Sequence, residues 1–131
     1  MREKKIAVWG LTFKPDTDDI RSSVAIDLVS ALLREGADVT AYDPKGMEKA
    51  REVKTIADVK FASSAVEATE GAEALVIATE WSEFATVDLT VVKDKMRTPI
   101  VFDGRNLFDP EMMGQLGFHY HSIGRASVKA Y

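Results

Sequence analysis

The sequence contains no cysteine. Without thiols the chain can form neither a disulfide framework nor a thiolate metal site, and it holds no cysteine nucleophile. It also lacks any apolar run approaching the roughly 20 residues that a transmembrane helix needs, and residues 1–5 lead into an apolar strand without the apolar core of a signal peptide. We therefore expect a cytoplasmic protein without a membrane partner.

An excess of charge of one sign is absent as well. The chain has 17 cationic and 21 anionic residues, for a formal net charge of -4. This balance argues against a general nucleic-acid-binding surface, so any site for an anionic ligand must be local. The length of 131 residues suits one domain covering residues 1–131, which would bury roughly two thirds of the surface of its unfolded chain.

The glycine-rich phosphate loop of dinucleotide-binding proteins, G-x-G-x-x-G, is missing. After the apolar run 6–9 only Gly10 is present, and bulkier residues follow it. Asp43 ends the second predicted strand, where an acid holds the ribose in dinucleotide-binding folds, but without the glycines this is a weak indication. The sequence argues against binding a dinucleotide through this loop.

Strands and helices alternate along the chain. The continuous apolar run 6–9 is typical of a strand buried on both faces. Further strands are predicted at residues 37–42, 59–62, 74–78, 99–102 and 118–123. Helices are predicted at residues 22–35, 45–53, 64–69, 87–96 and 110–115. This alternation predicts an α/β fold, a three-layer α/β/α sandwich with a mostly parallel, Rossmann-like sheet and residues 74–78 near its centre.

The segment GLTFKPDTDDIRSS, residues 10–23, connects the first strand to the first helix, and we expect Asp19 or Ser22 to cap that helix. Ligands of open α/β sheets bind beyond the carboxyl ends of strands, where this loop begins. Lys14 could reach a phosphate or sugar oxygen there, or be a solvated lysine. Arg21 opposes the helix dipole, so it should pair with nearby acids or with an external phosphate.

The sequence gives little support for a metal site. Asp16, Asp18 and Asp19 lack the glycine and the distal glutamate of a calcium loop. His119 and His121 share one face of the last predicted strand, but two ligands without a third do not indicate zinc. We therefore expect no bound metal.

A second strand-end loop, FDGRN, contains Arg105. At the same edge of a parallel sheet, Arg105 could converge with Lys14 on one anionic ligand, or it could be a surface arginine. Arg125 in SIGR poses the same alternatives, with the surface position favoured. Trp81 and Phe84 could stack on a base or simply pack against the sheet edge, which is the more frequent outcome for such aromatics.

Taken together, the motifs GLTFKPDTDDIRSS, AYDP, ATEWSEF, FDGRNLFDP and GFHYHSIGR resemble, in order and spacing, the C-terminal domain of the UDP-glucose 6-dehydrogenase family. Members of that family oxidise the C6 hydroxyl of a UDP-sugar twice, using NAD⁺ and a cysteine. That cysteine lies on a central dimerisation segment, and an N-terminal domain binds NAD. The resemblance implies that this chain closes over the UDP end of the substrate and is inactive alone.

The resemblance also implies roles for individual residues. Lys14 of the FKP motif would contact the substrate, and Arg105 of the DGR motif would lie near the sugar nucleotide. Arg21 would reach the NAD that is bound mainly by the N-terminal domain. Val24 departs from the family pattern, because many relatives have proline there.

The implied substrate is UDP-glucose, and the implied partners are the N-terminal and central domains of a full-length homodimer or higher oligomer. A UDP-N-acetylhexosamine or GDP-mannose dehydrogenase is the alternative within the family, although ATEWSEF favours UDP-glucose. A free-standing nucleotide-binding module without a catalytic partner is the alternative of a different class.

Overall fold

The computed structural model describes residues 4–12, 20 and 23–122. Its strands are β1 (Lys5–Trp9), β2 (Asp38–Tyr42), β3 (Lys60–Phe61), β4 (Ala74–Ile77), β5 (Ile100–Asp103) and β6 (His119–Ser122). They form one sheet of order β3-β2-β1-β4-β5-β6, in which every neighbouring pair is parallel. This order is the Rossmann order, with β1 and β4 at its centre, which confirms the central position predicted for residues 74–78.

Helices lie on both faces of this sheet. They are α1 (Val24–Arg34), α2 (Met47–Ala50), α3 (Ala65–Ala68), α4 (Ser82–Ala85), α5 (Leu89–Lys95) and α6 (Pro110–Gln115), with a short 3-10 helix at Lys54–Ile56. Side chains of α1, α2 and the 3-10 helix share one apolar cluster with β1 and β2. Side chains of α3, α4, α5 and α6 belong to a second cluster, on the opposite face. The predicted three-layer α/β/α sandwich is therefore confirmed.

Residues 6–9 of strand β1 are a continuous apolar run because both faces of the strand are buried. Ile6 and Val8 point into the first cluster, and Ala7 and Trp9 into the second. All of them are at most 3% exposed. Because consecutive side chains of a strand point to opposite faces, a strand with helices on both sides must be apolar at every position.

The N-cap of helix α1 lies one residue after Ser22, the later of the two predicted caps. Ser23, rather than Asp19 or Ser22, is the N-cap, and its hydroxyl oxygen accepts a hydrogen bond from the Ile26 backbone N–H at 3.3 Å. The same hydroxyl donates to the Leu11 carbonyl at 2.8 Å, which ties the helix start to the chain just after β1. The prediction was therefore wrong, since a local capping pattern does not reveal a partner 12 residues away.

Short elements differ most from the predictions. The helix predicted at residues 45–53 is the single turn α2, with the 3-10 helix following it, and α4 was not predicted at all. Elements of about one turn carry too little periodicity to be recognised in a sequence. No helix among the described residues has the length and apolar character that crossing a bilayer requires.

On the face of the sheet that carries α1, the described helices leave part of β5 uncovered. Phe102 of β5 belongs to neither apolar cluster and is 45% exposed. Its ring stacks on that of His121 in β6, with centroids 5.0 Å apart. A cavity of about 280 Å³ lies beside these two rings and reaches Val76 of β4. Among the described residues, the helical layer that contains α1 therefore reaches Ile100 but leaves Phe102 uncovered.

Candidate functional site

The carboxyl ends of β1 and β4 lie side by side at the centre of the sheet. The chain leaves β1 toward α1 on one face and leaves β4 toward α4 on the other. Such a divergence creates a crevice at the topological switch point, the usual ligand position in open α/β sheets. The candidate site therefore lies beyond Trp9 and Ile77.

The two loops that leave this point are packed directly together. Gly10 has a φ of +103°, and a Cβ atom at this position would lie 2.5 Å from the Cβ of Thr79. The Thr79 hydroxyl donates to the carbonyl oxygen of Thr12 at 2.7 Å. Thr79 thus fills the space next to the Gly10 backbone, where a glycine-rich loop would leave room for a pyrophosphate.

Asp43, at the end of β2, is fully buried and accepts hydrogen bonds from these loops. Its Oδ2 accepts from the backbone N–H groups of Leu11 and Thr12, at 2.7 and 3.2 Å, and from the indole N–H of Trp81 at 3.2 Å. Its Oδ1 accepts from the Gly46 N–H at 2.7 Å. The acid at the position expected for ribose binding is therefore a structural carboxylate, which fixes the first residues after β1.

The aromatic side chains after β4 are part of the core. Trp81 is 5% exposed and Phe84 is completely buried. Phe84 stacks on Trp9 with centroids 5.1 Å apart and meets the ring of Tyr42 edge-on. Of the two predicted alternatives, stacking on a base or packing, the structure shows packing.

Arg105 crosses from the loop after β5 to the loop after β4. Its Nε donates to the carbonyl oxygen of Ala78 at 2.9 Å and lies 3.4 Å from Oε2 of Glu80. The side chain is 32% exposed. Within the part of the chain that the structure describes, the hydrogen bond and the ion pair of this guanidinium both involve Nε. Its two terminal nitrogens remain for an external acceptor, and such a pair matches two oxygens of a phosphate.

Asp103 holds the loop that carries Arg105. This carboxylate is 1% exposed and accepts from the backbone N–H groups of Arg105, Leu107 and Phe108, at 2.9, 2.7 and 3.1 Å. The loop turns at Asn106, which has a φ of 54°. Sequence reasoning singled out Arg105 and missed this anchor, although an aspartate that precedes a turn commonly accepts from the N–H groups after it.

Most of the other predicted site residues lie outside the described residues. These are Lys14, Asp16, Asp18, Asp19, Arg21 and Arg125. The predicted convergence of Lys14 with Arg105 therefore stays a prediction. Among residues 4–12, 20 and 23–122, no group of three or more histidines and acids is placed to hold a metal ion.

Comparison with known proteins identifies the family. A profile described as "UDP-glucose/GDP-mannose dehydrogenase family, UDP binding domain" matches residues 7–110. The chain belongs to this family. The match covers five of the six strands, β1 apart from its first two residues, and the Arg105 loop. The family resemblance noted in the sequence is thereby confirmed.

Individual relatives agree with this assignment. The chain is 50% identical over 125 residues to UDP-glucose 6-dehydrogenase of Rhizobium meliloti, covering 95% of this chain and 28% of that protein. Among solved structures, a UDP-D-ManNAc dehydrogenase from Pyrococcus horikoshii has a TM-score of 0.74 and 35% identity, over 94% of this chain and 26% of that one. A UDP-glucose dehydrogenase from Pyrobaculum islandicum has a TM-score of 0.68 and 34% identity, over 80% of this chain and 22% of that one.

The chain thus spans about 28% of the length of the curated relatives it matches. It corresponds to the C-terminal UDP-binding domain of UDP-sugar dehydrogenases.

Proposed function

We propose that this chain is the substrate-binding C-terminal domain of an NAD-dependent UDP-glucose 6-dehydrogenase. The full-length enzyme would convert UDP-glucose, two NAD⁺ and water into UDP-glucuronate and two NADH. The observation that carries the proposal is Arg105, which is fixed through Nε beside the switch point of a UDP-binding-family fold. Its guanidinium suits a diphosphate, because two parallel N–H groups can bind two phosphate oxygens.

Two cations would bind the substrate. Arg105 would take the diphosphate from the β5 side of the crevice, and Lys14 would approach from the loop after β1. Lys14 follows Thr12 by two positions, and Asp43 anchors the Thr12 N–H at 3.2 Å. The loop that carries Lys14 therefore starts from a fixed point at the same sheet edge as Arg105.

NAD would be bound mainly by an N-terminal domain of the full-length enzyme, with Arg21 reaching it from this domain. Thr79 next to Gly10 supports this division, since the phosphate-binding position of a dinucleotide fold is filled here. The 131 residues also contain no cysteine, so the catalytic thiol would come from the central segment and this domain would be inactive alone. The full-length enzyme would be a cytoplasmic homodimer or higher oligomer.

A UDP-N-acetylhexosamine substrate is the second candidate, because the Pyrococcus horikoshii relative is a UDP-D-ManNAc dehydrogenase. GDP-mannose and a free-standing nucleotide-binding module complete the alternatives.

The first experiment is an assay of NADH formation by the full-length protein with UDP-glucose, UDP-N-acetylmannosamine and GDP-mannose in parallel. We expect the highest kcat/KM with UDP-glucose. Preference for another sugar nucleotide would reassign the substrate, and no NADH with any of them would favour the module.

The role of Lys14 is tested by Lys14→Ala in the full-length enzyme. Loss of a charge-assisted hydrogen bond of about 1.5–3 kcal/mol should raise the KM for UDP-glucose roughly 10- to 100-fold. Lys60→Ala is the matched control, because Lys60 pairs with Asp38 at 3.2 Å on the distant side of the sheet. A KM for UDP-glucose that is equal in Lys14→Ala and Lys60→Ala would contradict the assignment.

The role of Arg21 predicts a different kinetic signature. Arg21→Ala should raise the KM for NAD⁺ by about 10-fold, because one charge-assisted contact to the cofactor is lost. The KM for UDP-glucose should stay within about 2-fold. An effect confined to UDP-glucose would move Arg21 from the cofactor to the substrate.

A further inference from the structure

Two tyrosine hydroxyls in this domain bind carboxylates at the same short distance. Tyr42 donates to Oε2 of Glu83 at 2.6 Å, and Tyr120 donates to Oδ2 of Asp103 at 2.6 Å. Among the described residues, only the second carboxylate contacts the loop that carries Arg105, since Asp103 also accepts from the backbone N–H of Arg105. The two tyrosines therefore make the same kind of hydrogen bond. They differ in whether the accepting carboxylate also binds the loop that carries Arg105.

Tyr120 holds the Arg105 loop from inside the core. Its side chain is completely buried, and its hydroxyl oxygen lies 2.6 Å from Asp103 and 3.0 Å from the carbonyl oxygen of Phe108. Oδ2 of Asp103 also receives the N–H groups of Leu107 and Phe108. The hydroxyl thus touches both the carboxylate that starts the loop and the backbone where the loop ends.

The Arg105 backbone is held within its own loop, and its side chain is held by the loop after β4. Oδ1 of Asp103 accepts from the backbone N–H at 2.9 Å, while the carbonyl oxygen of Ala78 accepts from Nε, also at 2.9 Å. Both contacts must be made at once for the two terminal nitrogens to keep one orientation. A change in the Asp103 rotamer shifts the first contact relative to the second, and small misplacements of a binding group have large kinetic effects.

We infer that Tyr120, acting through Asp103, is a positioning residue that fixes Arg105 for the phosphates of the sugar nucleotide. The inference rests on the proposed role of Arg105 in substrate binding. The Tyr120 side chain itself is completely buried in the core. Its hydroxyl fixes the rotamer of the Asp103 carboxylate, and that carboxylate fixes the backbone of the loop after β5. The position of the loop backbone then determines where the Arg105 guanidinium lies.

The test is Tyr120→Phe in the full-length enzyme, which removes the hydroxyl and keeps the ring. We expect the KM for UDP-glucose to rise about 3- to 10-fold, with kcat and the KM for NAD⁺ within about 2-fold, since less ordered positioning of one phosphate contact weakens only that contact. Tyr42→Phe is the matched control, because it loses a hydrogen bond of equal length to Glu83. Its kinetic constants should equal those of the parent enzyme.

A lower melting temperature with an unchanged KM in Tyr120→Phe would overturn the inference, because a purely structural hydroxyl affects stability alone. If Tyr120→Phe does not fold, Asp103→Asn decides instead. It keeps the size of the side chain but removes one acceptor, and it should raise the same KM by at least as much. An unchanged KM in folded Asp103→Asn would equally overturn the inference.

Arg105→Ala separates this inference from the proposed function. If Tyr120 acts through Arg105, adding Tyr120→Phe to Arg105→Ala should change the KM for UDP-glucose by less than about 2-fold, as expected when two residues form one unit. A further rise in the double variant would overturn the route through Arg105. An unchanged KM in Arg105→Ala itself would refute the assignment of Arg105, whereas a raised KM there with normal Tyr120→Phe would refute only the positioning role.

Discussion

Asp43 and Asp103 have the same structural role at the ends of two strands, where each carboxylate holds the loops that follow. Each carboxylate is at most 1% exposed, and each is surrounded by N–H donors of the loops that follow the strands. A buried carboxylate is tolerated when donors replace its hydration, and it then fixes the groups that donate. At this edge Asp43 thus fixes Leu11 and Thr12 after β1, and Asp103 fixes the loop that carries Arg105.

The buried carboxylate of Asp43 predicts a large loss of stability in Asp43→Asn. The amide must direct its NH₂ group either at the donors around Oδ2, including the N–H of Leu11, or at the Gly46 N–H by Oδ1. We expect the free energy of unfolding to fall by about 3 kcal/mol, because buried donors lose their acceptor. Asp109→Asn is the control, since Asp109 caps α6 at an exposed hydrogen bond and asparagine caps equally well. Equal midpoints for both variants in urea would contradict this role of Asp43.

Tyr42 predicts a loss of stability in alkaline solution. Burial, followed by the hydrogen bond to Glu83, raises the pKa of the Tyr42 phenol from 10.0 to about 12. The unfolded chain releases this proton near pH 10, whereas the folded chain keeps it to about pH 12. The stabilising contribution of the Tyr42 phenol to the free energy of unfolding is therefore complete below pH 10. It is lost as the pH rises through 12. Tyr42→Phe should show a flatter decline of unfolding free energy over this interval in urea titrations, and an equally steep decline would refute the assignment.

For single residues, the sequence predicts the candidate cationic side chains better than the buried carboxylates that hold their loops. Arg105 was identified because it sits in a recognisable strand-end motif. The structural use of Asp43 could not be predicted, since its partner Leu11 lies 32 positions away and donates through the backbone. Backbone N–H groups are the same in every residue except proline, so no pattern of side chains reports such a bond.

Elements with a strong periodic or apolar signal were predicted with nearly correct bounds. The run 6–9 is the buried part of β1, and the predicted helix 22–35 contains α1. The single turn α4 was missed because its position depends on Phe84 packing against Trp9 and Tyr42, which is a tertiary interaction. Short helices of this kind are products of the core rather than of local propensity.

The start of α1 predicts a stabilising substitution. Val24 is the first helical residue and is 70% exposed, and Ser23 before it is extended, with φ -75° and ψ 120°. Proline is favourable at this position, because the N–H there has no partner within a helix. Val24→Pro should raise the free energy of unfolding by about 0.4–1 kcal/mol. Ser30→Pro inside the same helix should instead cost about 3 kcal/mol or more. Destabilisation by Val24→Pro in thermal melts would contradict the assigned helix start.

For the whole molecule, the alternation of strands and helices was sufficient to predict the layers. It did not predict how far each layer extends. The chain runs outward from β1 to β3 on one side of the sheet and from β4 to β6 on the other. Right-handed crossovers in opposite directions place their helices on opposite faces, so the described helices of the α1 layer leave Phe102 of β5 uncovered. The exposure of Phe102 follows from this topology and not from its own type.

The incomplete layer over β5 predicts that two phenylalanines differ sharply in their contribution to stability. Phe102 is 45% exposed beside His121, whereas Phe84 is completely buried between Trp9 and Tyr42. Phe84→Ala should lower the free energy of unfolding of the 131-residue chain by about 3–5 kcal/mol, because it leaves a core cavity. Phe102→Ala should cost only about 1 kcal/mol, since little apolar surface leaves a buried environment. Urea denaturation of both variants measures the difference. A cost for Phe102→Ala as large as that for Phe84→Ala would show that this face of β5 is covered within the chain itself.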